Sequence, residues 1–167
     1  INPGNLTGTA TITGVDDSTD EDDETVVVDI TTITNATELG MQQVTATITD
    51  DDAAPTVTLS RNNANIAENG GVSTITATLS VASGKNVTVN LNYTGTATNV
   101  TDYTRSGTSI SITAGNTTGT ATVTGVQDTL DEASETVVVD IPTVVNATES
   151  GQQSVTINIT DDDAAPT

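Results

Sequence analysis

The chain repeats itself at a spacing of about 111 residues, and this periodicity constrains its fold more than any other feature. The segment Asp-Asp-Asp-Ala-Ala-Pro-Thr occurs at 50–56 and again at 161–167. Sliding the chain over itself aligns residues 1–56 with 112–167, with about 39 identical positions. A unit of this length is longer than a solenoid repeat and has the size of one β-sandwich domain. We therefore predict a tandem array of β domains.

The repeat divides the chain into two unequal parts. Residues 1–54 are predicted to be the C-terminal half of one repeat, and residues 55–167 a complete repeat with the start of the next linker. In the first part we predict three strands, near 7–15, 24–34 and 43–49. Three strands with one apolar face cannot close a core. We expect either upstream sequence or a neighbouring chain that adds strands to complete this half.

Apolar residues alternate with Thr, Ser and Asn through most of the complete repeat. Between Val87 and Tyr93, for example, apolar residues occupy every second position. This period is typical of strands buried on one face. Roughly seven or more such strands, separated by Gly, Asn and Asp clusters, predict an all-β antiparallel sandwich. Gly125 interrupts the alternation after Val123, and we interpret it as a β-bulge.

Composition excludes several classes of function. The 167 residues include 23 Asp and Glu but only three Lys and Arg, so the formal net charge is −20. Nucleic acid is excluded as a partner because phosphate binding needs clustered basic residues, and no run is apolar enough for membrane insertion. The absence of Cys and His removes disulfides, zinc–thiolate sites, thiol catalysis and Ser-His chemistry. We predict that the protein is not an enzyme.

Basic and aromatic side chains are few enough to be considered singly. Arg61, Lys85 and Arg105 are the only basic residues, and we interpret them as solvated surface charges. Tyr93 and Tyr103 are the only aromatic residues, and we place them in or near the core. The rest of the core must then be built from small aliphatic side chains.

Most carboxylates of the complete repeat fall into four places at predicted strand ends. Glu68 precedes a Gly-Gly turn, Asp102 precedes a tyrosine, the loop at 127–135 holds four acidic residues, and an Asp triplet follows the last strand. All four places could meet at one end of the sandwich. Hard oxygen donors without His or Cys suit Ca²⁺ better than Mg²⁺, which retains its waters. The alternative is a solvated acidic loop, which the recurrence of the pattern in both copies disfavours.

A series of short motifs follows a fixed order through the complete repeat. They are Ile66-Ala67-Glu68-Asn69-Gly70-Gly71, then Gly95-Thr96-Ala97-Thr98 leading to Asp102-Tyr103-Thr104, then the acidic loop and the terminal Asp triplet. This order resembles the Calx-beta domain, over essentially all of 55–164 and the matching half in 1–54. The resemblance implies an immunoglobulin-like sandwich of a family found in sodium–calcium exchangers, integrin β4 and large bacterial surface proteins.

The resemblance also implies a set of Ca²⁺ ligands. In the complete repeat these are Glu68, Asp102, Asp128, Glu132, Glu135, Asp161, Asp162 and Asp163, with the carbonyl of Leu130. Gln127 stands where exchanger domains have a second Asp, so the number of ions is open. The corresponding positions in the first part are Asp16, Asp17, Glu21, Glu24, Asp50, Asp51 and Asp52. The first part's counterparts of Glu68 and Asp102 would lie upstream of residue 1.

The resemblance, together with the position of the Asp triplet, implies an extracellular Ca²⁺-binding structural module that stiffens a long surface, adhesin or matrix protein. The Asp triplet ends one repeat and directly precedes the first strand of the next, so Ca²⁺ there would neutralise and stiffen the junction. One alternative is an extracellular filament subunit whose half-domain is completed by a neighbouring chain. Another is a Ca²⁺-sensor regulatory domain. The expected partners are neighbouring repeats or neighbouring chains.

Overall fold

A computed structural model describes residues 1–166, so Thr167, the last residue of the predicted second repeat, lies outside the described residues. The chain forms two compact units. The first consists of Ile1–Ser18 and Asp22–Asp51, and the second of Thr19–Glu21 and the residues from Asp52 onward. All regular structure in residues 1–166 is β, and no helix that could cross a membrane is found there.

The first unit contains a single β-hairpin ladder. Strand β1 (Glu24–Asp29) pairs antiparallel with β2 (Gln43–Ile48). The register places Glu24 opposite Ile48 and Asp29 opposite Gln43. Two of the three strands predicted for this part are therefore present.

The second unit carries the remaining strands of the described chain, and they are joined by turns and short loops. In chain order they are β3 (Thr56–Arg61), β4 (Asn65–Ala67), β5 (Val72–Leu79), β6 (Val87–Asn90), β7 (Asn92–Gly95), β8 (Tyr103–Arg105), β9 (Ser109–Ile112), β10 (Thr118–Gly125), β11 (Glu135–Asp140), β12 (Val144–Val145), β13 (Thr148–Glu149) and β14 (Ser154–Thr160).

These strands form three sheets, with the orders β13-β3-β5-β10-β8, β4-β14-β11-β7 and β12-β6-β9. The pairings are antiparallel except β13–β3 and β14–β4, which are parallel. Strands β3 and β4 follow each other in sequence but pair in different sheets, so the start of the repeat contributes to both. The all-β, mainly antiparallel architecture predicted from the alternation is confirmed. The two parallel pairs join strands distant in sequence, so a local pattern could not reveal them.

The core of the second unit is built from small aliphatic side chains contributed by all three sheets. Alternate residues of the long strands point inward, and Ile75, Val137 and Ile157 are fully buried. Tyr103 is buried, and its ring stacks on Tyr93 with centroids 6.5 Å apart, which agrees with the predicted core positions.

Two of the three basic residues are not the solvated surface charges that the sequence suggested. The guanidinium carbon of Arg105 lies 4.6 Å above the centroid of the Tyr93 ring. Lys85 is partly buried and forms an ion pair with Asp20. A charged side chain on a long flexible stem can cover apolar surface or bury its ammonium beside a carboxylate, and composition alone does not distinguish these uses.

Three strand predictions are wrong in detail. The strand predicted at 7–15 is absent; the aligned segment of the second unit is β10, which is held by β5 and β8, and the first unit offers no such neighbours. The strand predicted from Val87 to Tyr93 is two strands, because β6 pairs with β9 whereas β7 pairs with β11. Gly125 is not a bulge, since the ladder with β8 continues in register to Gly125 opposite Tyr103.

Candidate metal centre

The predicted acidic positions of the second unit converge at one end of the sandwich. Five strands begin or end there: Glu68 follows β4, Asp102 precedes β8, Asp128 follows β10, Glu135 opens β11 and Asp161 follows β14. The strand register explains the convergence, because antiparallel β11 and parallel β4 both pair with β14 at this end. A pocket is lined by these five residues together with Val126, Glu132, Ala133 and Ile159.

Glu68 is the most buried carboxylate of this group, with 6% of its surface exposed. Its backbone N–H donates to the carbonyl of Thr160 at 3.1 Å, which extends the β4–β14 pairing past the strand end. A Cβ on Gly125 would lie 2.5 Å from the Ala67 carbonyl oxygen and 2.8 Å from Glu68 Cα. Glycine at 125 therefore allows the end of β10 to pass directly against the backbone that carries Glu68.

Three carboxylates form what we call the Glu68 triad: Glu68, Asp128 and Asp163. One oxygen of each lies within 4.8 Å of the others. The Gln127 amide nitrogen donates to Glu68 Oε1 at 3.0 Å and to Asp163 Oδ2 at 3.4 Å. It also donates to the carbonyl of Asp128 at 2.9 Å. The glutamine therefore supplies partial positive charge to a group of acidic side chains.

Asp102, Glu132 and Glu135 form a second group, the Glu135 triad, whose carboxylate oxygens also lie within 4.8 Å of one another. Asp102 is fixed by its own turn: its Oδ2 accepts the N–H of Thr98 at 2.5 Å, and its backbone N–H donates to the Thr98 carbonyl at 2.9 Å. Glu135 is fixed by the first position of β11. The two triads place six of the predicted ligands in ion-sized groups.

The negative charges in this region destabilise one another. Desolvation first, and then the charges of Asp161, Asp163, Asp128 and Asp162, raise the pKa of Glu68 to about 7. Desolvation and neighbouring carboxylates also raise the pKa of Asp163, Glu132 and Glu135. Like charges that share a site favour protonation or the binding of a cation.

The donor set fits Ca²⁺. Every candidate side-chain ligand is a carboxylate, the hard donor that Ca²⁺ prefers, and nitrogen and sulfur donors typical of zinc are absent from the chain. Two oxygens bound to one Ca²⁺ at 2.3–2.6 Å lie at most about 5 Å apart. Both triads meet this condition, so the three carboxylates of each are close enough to share one ion.

The remaining predicted ligands of the second unit lie at the edge of the triads. Asp161 lines the pocket, and its Oδ1 accepts the N–H of Asp163 at 3.4 Å. Asp162 is exposed and belongs to neither triad. The N–H of Leu130 donates to Asp128 Oδ1 at 2.7 Å, which orients that carboxylate. Ligation by the Leu130 carbonyl stays a prediction.

The predicted ligands of the first part are not gathered in the same way. Among residues 1–166, groups of three or more carboxylates with oxygens within 4.8 Å of one another occur only in the two triads of the second unit. In the first unit, Asp23 Oδ1 accepts the N–H of Asp50 at 3.0 Å. Involvement of the predicted positions of this part in Ca²⁺ binding stays a prediction: Asp16, Asp17, Glu21, Glu24, Asp50, Asp51 and Asp52.

Sequence reasoning missed the supporting residues of this centre. The sequence marks Gln127 only as a departure from the exchanger pattern, although its place beside Asp128 indicates contact with the same group. The alternation predicts a bulge at Gly125, and no local motif indicates the contact of Thr98 with Asp102. Each acts through contacts between segments far apart in the chain, which a local motif does not show.

Comparisons with known proteins bear on the family and the fold. The Calx-beta domain family matches residues 2–52 and 50–163. Among solved structures, CBD12 from CALX1.2 is similar with a TM-score of 0.55 and 18% identity, over 64% of this chain and 45% of that chain. The apo-form Calx CBD1 domain gives 0.51 and 17%, over 65% and 99%. The calcium binding domain CBD12 of CALX1.1 gives 0.54 and 17%, over 63% and 44%.

At these identities the structural likeness shows the fold alone, and it confirms the predicted immunoglobulin-like sandwich. The chain spans less than half the length of both CBD12 structures and nearly all of the CBD1 domain. A search of curated protein sequences finds no match.

Proposed function

Because the chain belongs to the Calx-beta family, we propose that its second unit is a Ca²⁺-binding structural module of an extracellular protein built from repeats. The observation that carries the proposal is the convergence of two carboxylate triads at five strand ends. The role is one of binding and stabilisation, and it requires none of the nucleophiles or bases that the chain lacks.

The residues of the two triads would hold the ions. Glu68, Asp128 and Asp163 would bind one, and Asp102, Glu132 and Glu135 would bind another, with Asp161 between them at the pocket wall. Bound Ca²⁺ would supply positive charge that neutralises the cluster. The fold holds the ligands in place. They come from distant parts of the chain and meet at the ends of β4, β10 and β14 and the starts of β8 and β11. Because folding assembles the ligands, binding adds to stability.

An extracellular location is supported by the kind of site rather than by a targeting segment. Extracellular Ca²⁺ modules bind at about 10⁻⁴–10⁻³ M, whereas sensors bind at about 10⁻⁷–10⁻⁵ M. Gln127 replaces a carboxylate at the Glu68 triad with a neutral amide, and fewer ligand charges weaken Ca²⁺ binding. This substitution favours the structural module over the Ca²⁺ sensor.

A calorimetric Ca²⁺ titration of the full chain tests the proposal. We expect binding in the submillimolar to millimolar range and a higher melting temperature with Ca²⁺ than with EDTA. The variant Glu135→Gln should weaken binding about tenfold or more, because it removes one carboxylate of the Glu135 triad. Glu38→Gln is the matched control, because it makes the same chemical change at an exposed carboxylate outside every predicted ligand position, and it should leave the titration unchanged. No Ca²⁺-dependent heat or shift in melting temperature would refute the proposal.

A second candidate, a filament subunit completed by a neighbouring chain, is favoured by the apolar surface of the first unit. Val27, Val28 and Val44 are 54%, 46% and 70% exposed on the β1–β2 hairpin. Exposed apolar strands invite pairing with another chain. Sedimentation at increasing protein concentration should then show association that the variant Val44→Lys weakens. A monomer at every concentration would contradict this candidate.

A further inference from the structure

The second unit includes a short segment, Thr19–Glu21, that is far in sequence from the rest of that unit. Its central residue, Asp20, is only 7% exposed. Asp20 Oδ1 accepts the ammonium of Lys85 at 3.0 Å, and Asp20 Oδ2 accepts the hydroxyl of Ser83 at 3.3 Å. The two residues form an ion pair. Asp20 belongs to residues 16–24, the first part's counterpart of the acidic loop, and it is thus a carboxylate buried outside the proposed metal centre.

The backbone of the same segment is held as well. The Asp20 carbonyl accepts the N–H of Gly84 at 3.0 Å and the Ser83 hydroxyl at 3.3 Å. Ser83 is 1% exposed, its hydroxyl accepts the N–H of Lys85 at 3.1 Å, and its carbonyl accepts the N–H of Gly115 at 2.9 Å. The loop Ser83-Gly84-Lys85, which we call the receptor loop, therefore binds both the side chain and the backbone of Asp20.

Gly84 lies directly against the side chain of Glu21. A Cβ on Gly84 would lie 2.7 Å from Glu21 Cγ and 2.8 Å from Glu21 Oε1. A larger residue would force Glu21 to move away from the receptor loop. Glycine here permits the close approach of the Asp-Glu pair, independently of the hydrogen bonds to Asp20.

The receptor loop can bind one carboxylate, and its hydrogen-bond donors fix where that carboxylate must lie. Lys85 is one of three basic residues in a chain of net charge −20, so its single ammonium is surrounded by many competing acids. Burial together with four hydrogen bonds distinguishes Asp20 from the exposed acids of the chain. A largely buried ion pair with further hydrogen bonds specifies its partner better than a solvated pair on the surface.

The internal repeat identifies the general partner of the receptor loop. Sliding the chain by the repeat length aligns Asp20-Glu21 with Asp131-Glu132. Asp131 lies in the acidic loop of the second unit and is exposed. We propose that the receptor loop binds the acidic loop of the preceding repeat, and that Asp131 is the equivalent residue offered to the receptor loop of a following copy of this repeat. The inference does not depend on Ca²⁺ binding.

Asp20 and Asp131 occupy aligned positions, so the same substitution at each provides a test and its control. In the full chain, Asp20→Asn should raise the amide hydrogen-exchange rate of Gly84 about tenfold and shift the NMR signals of Ser83 and Lys85, because the docked segment loosens. Asp131→Asn should leave these signals unchanged. Lys85→Gln should reproduce the effect of Asp20→Asn, and the double variant should add little to either. Equal effects of the two aspartate variants, or none from Asp20→Asn, would overturn the assignment.

A longer chain tests the second half of the proposal. When one further copy of residues 57–167 is appended after Thr167, Asp131→Asn should raise the exchange rate of the new copy's counterpart of Gly84 about tenfold, as Asp20→Asn does for Gly84 itself. No change in the appended copy would overturn the assignment of Asp131. Both measurements are made in Ca²⁺ and in EDTA. Loss of Ca²⁺ binding with the aspartate effects intact would count against the proposed function and leave the docking of repeats standing.

Discussion

Strand β1 of the first unit and strand β11 of the second have the same sequence, Glu-Thr-Val-Val-Val-Asp. Their side chains differ in burial. Val139 is fully buried in β11, whereas the aligned Val28 is 46% exposed in β1. The pairing is nonetheless identical, since Glu24 lies opposite Ile48 and Glu135 opposite Ile159. Local sequence therefore determines the hairpin and its register, while the first half of the repeat supplies the strands that bury it.

The carboxylates show the same contrast. Glu24 and Glu135 open the two aligned strands, and only Glu135 belongs to a triad. Its partner Asp102 is held by the turn at Thr98, in the half of the repeat that residues 1–54 lack. An acidic loop alone is thus insufficient, and the ion-sized geometry requires strands β4 and β8.

The largest difference between the two units is expected when a charged residue replaces each of the aligned valines, Val139 and Val28. Val139→Asp buries an unpaired carboxylate among aliphatic side chains and should cost about 3–5 kcal/mol, a large part of a domain's stability. Val28→Asp should change stability by about 0.5 kcal/mol or less, because its side chain remains solvated. Chemical denaturation followed by circular dichroism measures both. Similar losses in the two variants would show that the β1 face is covered in solution.

A second test uses pH in the absence of Ca²⁺ and addresses the carboxylates of the second unit. The pKa of Glu68 is raised from its ordinary value of 4.5 to about 7, so between these values the folded state binds more protons than the unfolded state. The free energy of unfolding should therefore fall as pH rises from about 4.5 to about 7 and then level off. The raised pKa values of Asp163, Glu132 and Glu135 act in the same direction.

Melting temperatures in EDTA across this range provide the measurement. Glu68→Gln resembles the protonated side chain, so it should flatten the profile and raise the melting temperature near pH 8. Ca²⁺ should restore stability mainly at the high-pH end, where the carboxylates are ionised. A flat profile for the unmodified chain in EDTA would show that the carboxylates of the second unit do not repel one another as their spacing indicates.

The sequence predicted those parts of the molecule that depend on local pattern. Alternation identified the long strands, and the acidic motifs identified the six residues of the two triads, because these positions follow directly from strand ends. The division of one predicted strand into β6 and β7 was missed, since Leu91 remains apolar and inward-facing while the chain crosses between sheets. Gln127 and Lys85 were misjudged because the surroundings of a polar side chain depend on contacts with distant segments.

The smallest expected effect concerns the aromatic pair, which the first unit lacks. Arg105 lies over the ring of Tyr93, which stacks on the buried Tyr103, so Arg105→Ala should lower stability by about 0.5–1 kcal/mol. Arg61→Ala is the matched control, because Arg61 is exposed at the end of β3 and its loss should be nearly neutral. Denaturation of both variants at low and high salt separates the contributions. A salt-insensitive loss only at Arg105 indicates packing on the ring, whereas equal losses would assign both arginines to general screening of the acidic surface.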